Sequence, residues 1–145
     1  MDDHGLETVA SGWSVGETID RLEAVVTGAG LRVFARIDHA GGAAEVGMEL
    51  RPTELLIFGN PRGGTPLMQD RQTSGIDLPV KALAWEDGDG KVWLTYNRAS
   101  WVAERHGLGG ESKGAVEAVE AGLAQVVRKA VRVIGQADAA PEPRH

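Results

Sequence analysis

The residues with the most chemical potential stand where an apolar run stops. In LLIFGNPRGGTPLMQ, residues 55–69, the run ends at Gly59, passes through Asn60-Pro61-Arg62-Gly63-Gly64 and restarts at Thr65-Pro66. Gly59 and Gly64 have the glycine spacing of a phosphate-cradling loop, but the next residue is Thr65 instead of the lysine that would reach the phosphates. A simpler anion site is left. Amides at the start of a helix opening at Thr65, with the Arg62 guanidinium beside them, would hold a phosphate or carboxylate. The same residues also suit a tight turn before a capped helix, because threonine at the N-cap and proline at the first helical position are what capping alone selects.

Other groups carry weaker chemistry. His39 and His106 lie far from both chain ends, but no ligand spacing surrounds either, so no metal is expected. A hydroxyl–histidine–carboxylate triad would lack the Gly-x-Ser-x-Gly elbow. Asp87 and Asp89 hint at calcium, but Lys91, Val92 and Arg98 stand where a calcium loop needs an oxygen ligand, a glycine and a glutamate. Trp85, Trp93 and Tyr96 could stack on a ligand; such residues more often fill cross-strand core positions. Lys81 alternates with Leu83 and Trp85, which puts an amine on a mostly apolar face, where a pKa shift would make it functional.

These groups must be positioned by recognisable elements. Residues 6–10, LETVA, suit a short first strand. SVGETIDRLEAVVTGAG predicts a helix: Ser14 and Glu17 have capping-box spacing, and Val15, Ile19, Leu22 and Val26 share a face. LRVFARID alternates as a strand with one buried face. HAGGAAEVGMEL is weakly helical, with Asp38 as its cap, and Arg51-Pro52 should break it. TELLIFG predicts a central strand, PLMQDRQ a short helix and TSGIDLP a loop. In VKALAWEDGDGKVWLTYN, two alternating runs flank Asp87-Gly88-Asp89-Gly90, a strong hairpin signal. RASWVAERHG predicts a helix capped by Asn97 and ended at Gly107. The last helix is expected over residues 112–134, with Val116, Val119, Leu123, Val126 and Ala130 as its apolar stripe.

The chain of 145 residues is 42% hydrophobic and 25% charged, the balance of a soluble globular domain. One α+β domain is expected over residues 1–135, with a polar, disordered tail over 136–145. The absence of cysteine excludes a disulfide framework, iron–sulfur clusters and a thiol nucleophile, and fits a reducing cytoplasm. There is no secretory signal and no stretch apolar enough to span a bilayer. A net charge of −6 without a basic run argues against nucleic acid and anionic membrane as partners. No cofactor is expected.

Residues 31–106 carry a further signal. IDHAGGAAEVGMELRPTELLIFGNPRGGTPLMQ, GIDLPVKALAWEDGDGKVWLTYN and AERHGL resemble, in that order, the bacterial family called domain of unknown function 302. The resemblance implies a compact α+β fold of the TATA-binding-protein-like grouping, with a β-α unit, a four-stranded antiparallel run and a closing helix, and it implies a homodimer. It implies no reaction. In such a meander the third and fifth strands run the same way. The Asn60–Thr65 loop would then meet Tyr96 and Asn97 at one edge of the sheet, with His39 at the other; a parallel pairing of strands two and three would instead bring His39 to the loop.

The expected ligand-binding set is therefore Asn60, Arg62, Gly64, Thr65, Tyr96 and Asn97, with His39 as an outsider. The expected function is a cytoplasmic homodimeric module that binds a small, anionic molecule or a protein partner. The alternative is a hydrolase or isomerase using His39, Tyr96 and Lys81 as acid and base, which needs those groups to converge.

Overall fold

A computed structural model describes residues 3–132; the predicted tail over 136–145 lies outside them. The elements run β1 (Leu6–Ser11), α1 (Val15–Gly28), β2 (Arg32–Asp38), α2 (His39–Glu45), β3 (Thr53–Gly59), α3 (Pro61–Asp70), a 3-10 helix (Gln72–Asp77), β4 (Val80–Glu86), β5 (Val92–Asn97), α4 (Ala99–His106), a 3-10 turn (Gly110–Ser112) and α5 (Lys113–Val131). The fold is α+β. Its five strands form one sheet in the order β1-β5-β4-β3-β2, antiparallel at every pairing.

The expected meander thus accounts for β2 to β5. β1 closes the other edge by pairing with β5, and α1 crosses the sheet to connect the two edge strands. Since β3 and β5 both oppose β4, their C-terminal ends share one edge, and Asp38 falls at the other. The middle strand is β4, with β3 one place out.

Alternation sorts the side chains. Leu56 and Phe58 of β3, Ala82 and Ala84 of β4, Leu94 and Tyr96 of β5, and Val9 of β1 form one core with Ile19, Leu22 and Val26 of α1 and Leu123, Val126 and Val127 of α5. Each fully buried aliphatic side chain there contributes about 1.5–3 kcal/mol. The intervening residues point away from these helices. There Trp85 Nε1 donates to Thr95 Oγ1 at 2.8 Å, and Thr95 and Thr8 hydroxyls hydrogen-bond at 2.9 Å. Leu55, Ile57, Leu83 and Trp85 are half-buried on that side.

Local signals worked as read in α1 and the hairpin. Glu17 N donates to Ser14 Oγ at 3.1 Å and Ser14 N donates to Glu17 Oε1 at 3.2 Å, completing the capping box. Asp87 Oδ1 accepts from Asp89 N and Lys91 N, its Oδ2 accepts from Trp93 Nε1 at 2.9 Å, and Gly90 takes φ +81°. The Trp93 hydrogen bond, then the Lys91 amide, hold the Asp87 carboxyl below the usual carboxylate range. Its oxygens serve the turn. Asp38 caps α2 as expected, accepting from Gly41 N at 2.9 Å, and Gly107 ends α4 in the left-handed conformation at φ +66°.

Three local expectations fail. α3 starts at Pro61, so Thr65 is inside the helix; the cap is Asn60, whose Oδ1 accepts from Arg62 N at 2.9 Å. The Asn60-Pro61 pair satisfies the same capping chemistry five residues earlier, and the helix absorbs Pro66. Asn97 ends β5 and does not cap α4. That helix has Arg98 at its N-cap, and Ala99 N donates at 2.6 Å to Glu120 Oε1 from α5. Gln72, expected to end the preceding helix, and residues 73–77, expected as loop, form a 3-10 helix.

Candidate functional site

The end of β3, the first turns of α3, the start of β4 and the middle of α5 enclose a cavity of about 450 Å³. Phe58 and Leu123 form its floor, each almost fully buried. Gly63, Gly64 and Met68 of α3 and Ala118, Val119 and Gly122 of α5 line it, with Gly63 beside Val119, and Leu78, Pro79 and Val80 close the β4 side. At the mouth stand Leu31 and Phe34, the latter 45% exposed. Phe34 owes its position to a bulge. The β2–β3 register shifts between Val33 and Ala35, so Phe34 is the extra residue that a bulge re-aims.

The predicted site residues separate. Asn60, Gly64 and Thr65 line the cavity. Arg62 is exposed and outside the lining. Tyr96 is buried in the core between sheet and helices. Asn97 lies on a neighbouring crevice of about 10 Å³, room for roughly one water. His39 opens α2 at the opposite edge of the sheet.

The backbone donors of the loop are already used. Arg62 N is held by Asn60 Oδ1, and Gly63 N and Gly64 N donate to Asn60 O at 2.9 and 3.2 Å. The predicted anion cradle at Thr65 therefore has no free helix start behind it, because Asn60 caps the helix itself. The acid–base set does not assemble either. Ala82 pairs with Tyr96, so Lys81, one residue away, projects from the opposite face of the sheet. Lys81 Nζ donates to Asp77 O at 3.4 Å, and His39 is at the far edge.

Sequence reasoning missed two features. The first is the cavity's apolar wall from α5. Its signal was present: Ala118 and Gly122 flank Val119 and Leu123, so the apolar stripe carries two small residues where a larger one would pack. The second is a polar cluster around His106. His106 Nε2 lies 2.6 Å from Asp77 Oδ2, its Nδ1 lies 3.0 Å from Thr73 Oγ1, and Arg105 reaches Asp77 at 3.0 Å. The order hydroxyl–imidazole–carboxylate resembles a triad. Yet none of the three groups lines the cavity, and the contacts join the 3-10 helix to the last turn of α4, which is a structural clamp.

Comparison with known proteins agrees with this architecture. A crystal structure of an uncharacterized conserved protein DUF302 from Bacillus stearothermophilus superposes with a TM-score of 0.68 over 88% of this chain and 95% of that one, at 18% identity. That likeness shows the fold. Three curated relatives are 55% identical over 128 residues, 88% of this chain: fluoride-specific ion channels FluC 1 of Brucella suis and of Brucella abortus, and FluC 2 of Brucella melitensis. The matched region is 50% of the first and 47% of the other two, so the chain spans about half the length of these relatives. Among the described residues, no helix is long and apolar enough to cross a membrane. The family model for domain of unknown function DUF302 matches residues 7–130, and the chain belongs to that family.

Proposed function

We propose that this chain is a homodimeric small-molecule-binding module of the cytoplasm whose ligand occupies the cavity beside the Asn60–Thr65 loop. One observation carries the proposal. A space of about 450 Å³ stands open where β3 turns into α3, within the size range of small-molecule sites. Asn60, Gly64 and Thr65 remain its ligand-facing residues. Arg62, Tyr96, Asn97 and His39 have no part in it.

The dimer surface in this proposal is the sheet face opposite α1 and α5. Leu6 and Ile37 are exposed there, and beyond α2 the stretch 46–50 leaves Val46 72% and Met48 66% exposed. These exposed apolar residues are what motivates placing the partner on this side.

A thermal-shift screen of small molecules tests the binding proposal. A ligand at a hundred times its Kd stabilises by about 2.7 kcal/mol, which raises Tm by roughly 5–10 °C for a domain of this size. The expected result is a stabilising compound whose effect disappears in Gly122→Phe. Gly122 lines the cavity and a Cβ there would meet nothing within 4 Å, so a side chain can be added beside the opening, and a phenyl ring is large enough to obstruct it. Equal stabilisation of both proteins would place the ligand elsewhere.

A further inference from the structure

We infer that the ligand of this cavity is an uncharged, mainly apolar molecule carrying no more than one hydrogen-bonding group. The inference rests on the small-molecule reading of the same cavity and adds the chemistry of the occupant. No Asp, Glu, Lys, Arg or His contributes to the lining. Its polar side chains are Asn60 and Thr65, and Asn60 Oδ1 already accepts from Arg62 N. The amides of Arg62, Gly63 and Gly64 are bonded to Asn60 as well. An ionised group that left water for this lining would find no opposite charge among the lining residues, and the Arg32 guanidinium at the mouth stands over the Phe34 ring, 5.6 Å from its centre.

The apolar side of the site is built for contact. The bulge turns Phe34 to the mouth and leaves it 45% exposed, although it follows Val33, which packs on the core. Covering that ring returns the apolar area it now shows to water. Gly63, Gly64, Gly122 and Ala118 carry little or no side chain, which leaves backbone of α3 and α5 open in the lining of this slot. Gly122 is also a residue that α5 does not need for packing: alanine would favour the helix, and a Cβ there meets no neighbour. Its effect is to keep the slot open. Met68, unbranched and polarisable, adapts to the occupant at one end. The remaining polar capacity, the Thr65 hydroxyl and the Asn60 amide NH₂, suits one alcohol, amide or carbonyl group.

The experiment uses the neutral fluorophore N-phenyl-1-naphthylamine as the probe and three competitors. Decanol and decanoate share a chain and differ in charge at pH 7.5; naphthalene methanol replaces the chain by rings. The dye should brighten with the wild-type protein and not with Gly122→Phe. Phe34→Ser, at an exposed position, should weaken the dye several-fold without lowering Tm, which covers the case in which Gly122→Phe folds poorly. Decanol should displace the dye at a concentration at least tenfold below that of decanoate, and the ring alcohol, also uncharged, should likewise compete better than decanoate. Decanoate competing as well as decanol, with both blocked in Gly122→Phe, would overturn the uncharged ligand and leave the binding module standing. Stabilisation by phosphate or fluoride that Gly122→Phe abolishes would do the same. A protein that binds neither dye nor any competitor would remove the binding module together with the inference.

Discussion

Two glycine-punctuated turns of this molecule look alike in sequence and behave differently. The β4–β5 turn closes on itself. Asp87 collects the amides of Asp89 and Lys91 and the indole of Trp93, all within six residues, and nothing else is needed. The β3–α3 turn also satisfies its own donors, through Asn60. Its glycines, however, face a hollow whose other walls come from β2, β4 and α5. A turn that uses up its polar groups locally can still border a site, provided that distant elements stop short of it. The chemistry offered there is then that of the distant walls, which are apolar.

Substitutions can break or sharpen this contrast. The largest effect is expected at the floor of the hollow. Phe58→Ala removes a ring that is 1% exposed and should cost about 3–5 kcal/mol, measured by urea unfolding, because the space it leaves joins a cavity that cannot collapse between a sheet and α5. A cost below about 1.5 kcal/mol would mean that the hollow closes readily. Next come two changes of opposite sign. Gly122→Ala should stabilise the unliganded protein by up to about 1 kcal/mol through helix propensity while weakening any ligand of the slot. Loss of stability would show that the glycine serves packing. Asn60→Ala should cost about 1 kcal/mol by uncapping α3, and it frees the Arg62 amide while Gly63 N and Gly64 N keep the carbonyl of residue 60, so any new phosphate-dependent rise in Tm should be small.

The smallest effect belongs to the hairpin. The Asp87 carboxyl is held below its usual value, so its contribution is present above the unfolded carboxylate pKa and is lost as pH falls through the folded one. The unfolded value is about 4. In Asp87→Asn the decline of Tm should therefore be shallower than in the wild type once pH drops below roughly 4, with little difference in slope between pH 6 and 8. A parallel decline across the acid range would mean that other carboxylates carry the whole dependence. Asp70 is one such group, held low first by Ser112 Oγ and then by Gly109 N.

How much of this was readable before the coordinates varies with the range of the interaction. Ser14 with Glu17, Asp38 with Gly41 and the Asp87 hairpin are contacts within four residues or so, and their residue types announce them. The meander and the shared edge of β3 and β5 followed from strand order and the family resemblance. The cavity's Asn60, Gly64 and Thr65 were found because a strand-to-loop break is visible locally. Arg62, Tyr96, Asn97 and His39, grouped with them on the sequence, lie off the cavity lining. An edge of a sheet is shared by residues of both faces, and only the pleat decides which side a residue such as Tyr96 enters.

The amino-acid sequence alone therefore determined the elements, their periodicity and the turns that join them, because these depend on backbone preferences and neighbours a few positions apart. Tertiary structure alone decided that Glu120 caps α4 from twenty-one residues away, that Phe34 leaves the β2 ladder toward an opening, and that Gly122 comes to line the same cavity as Gly63 and Gly64. The physical reason is that a cavity is a property of the space between elements. Its shape depends on how α5 lies across α3 and the sheet, and no residue's own type encodes that distance.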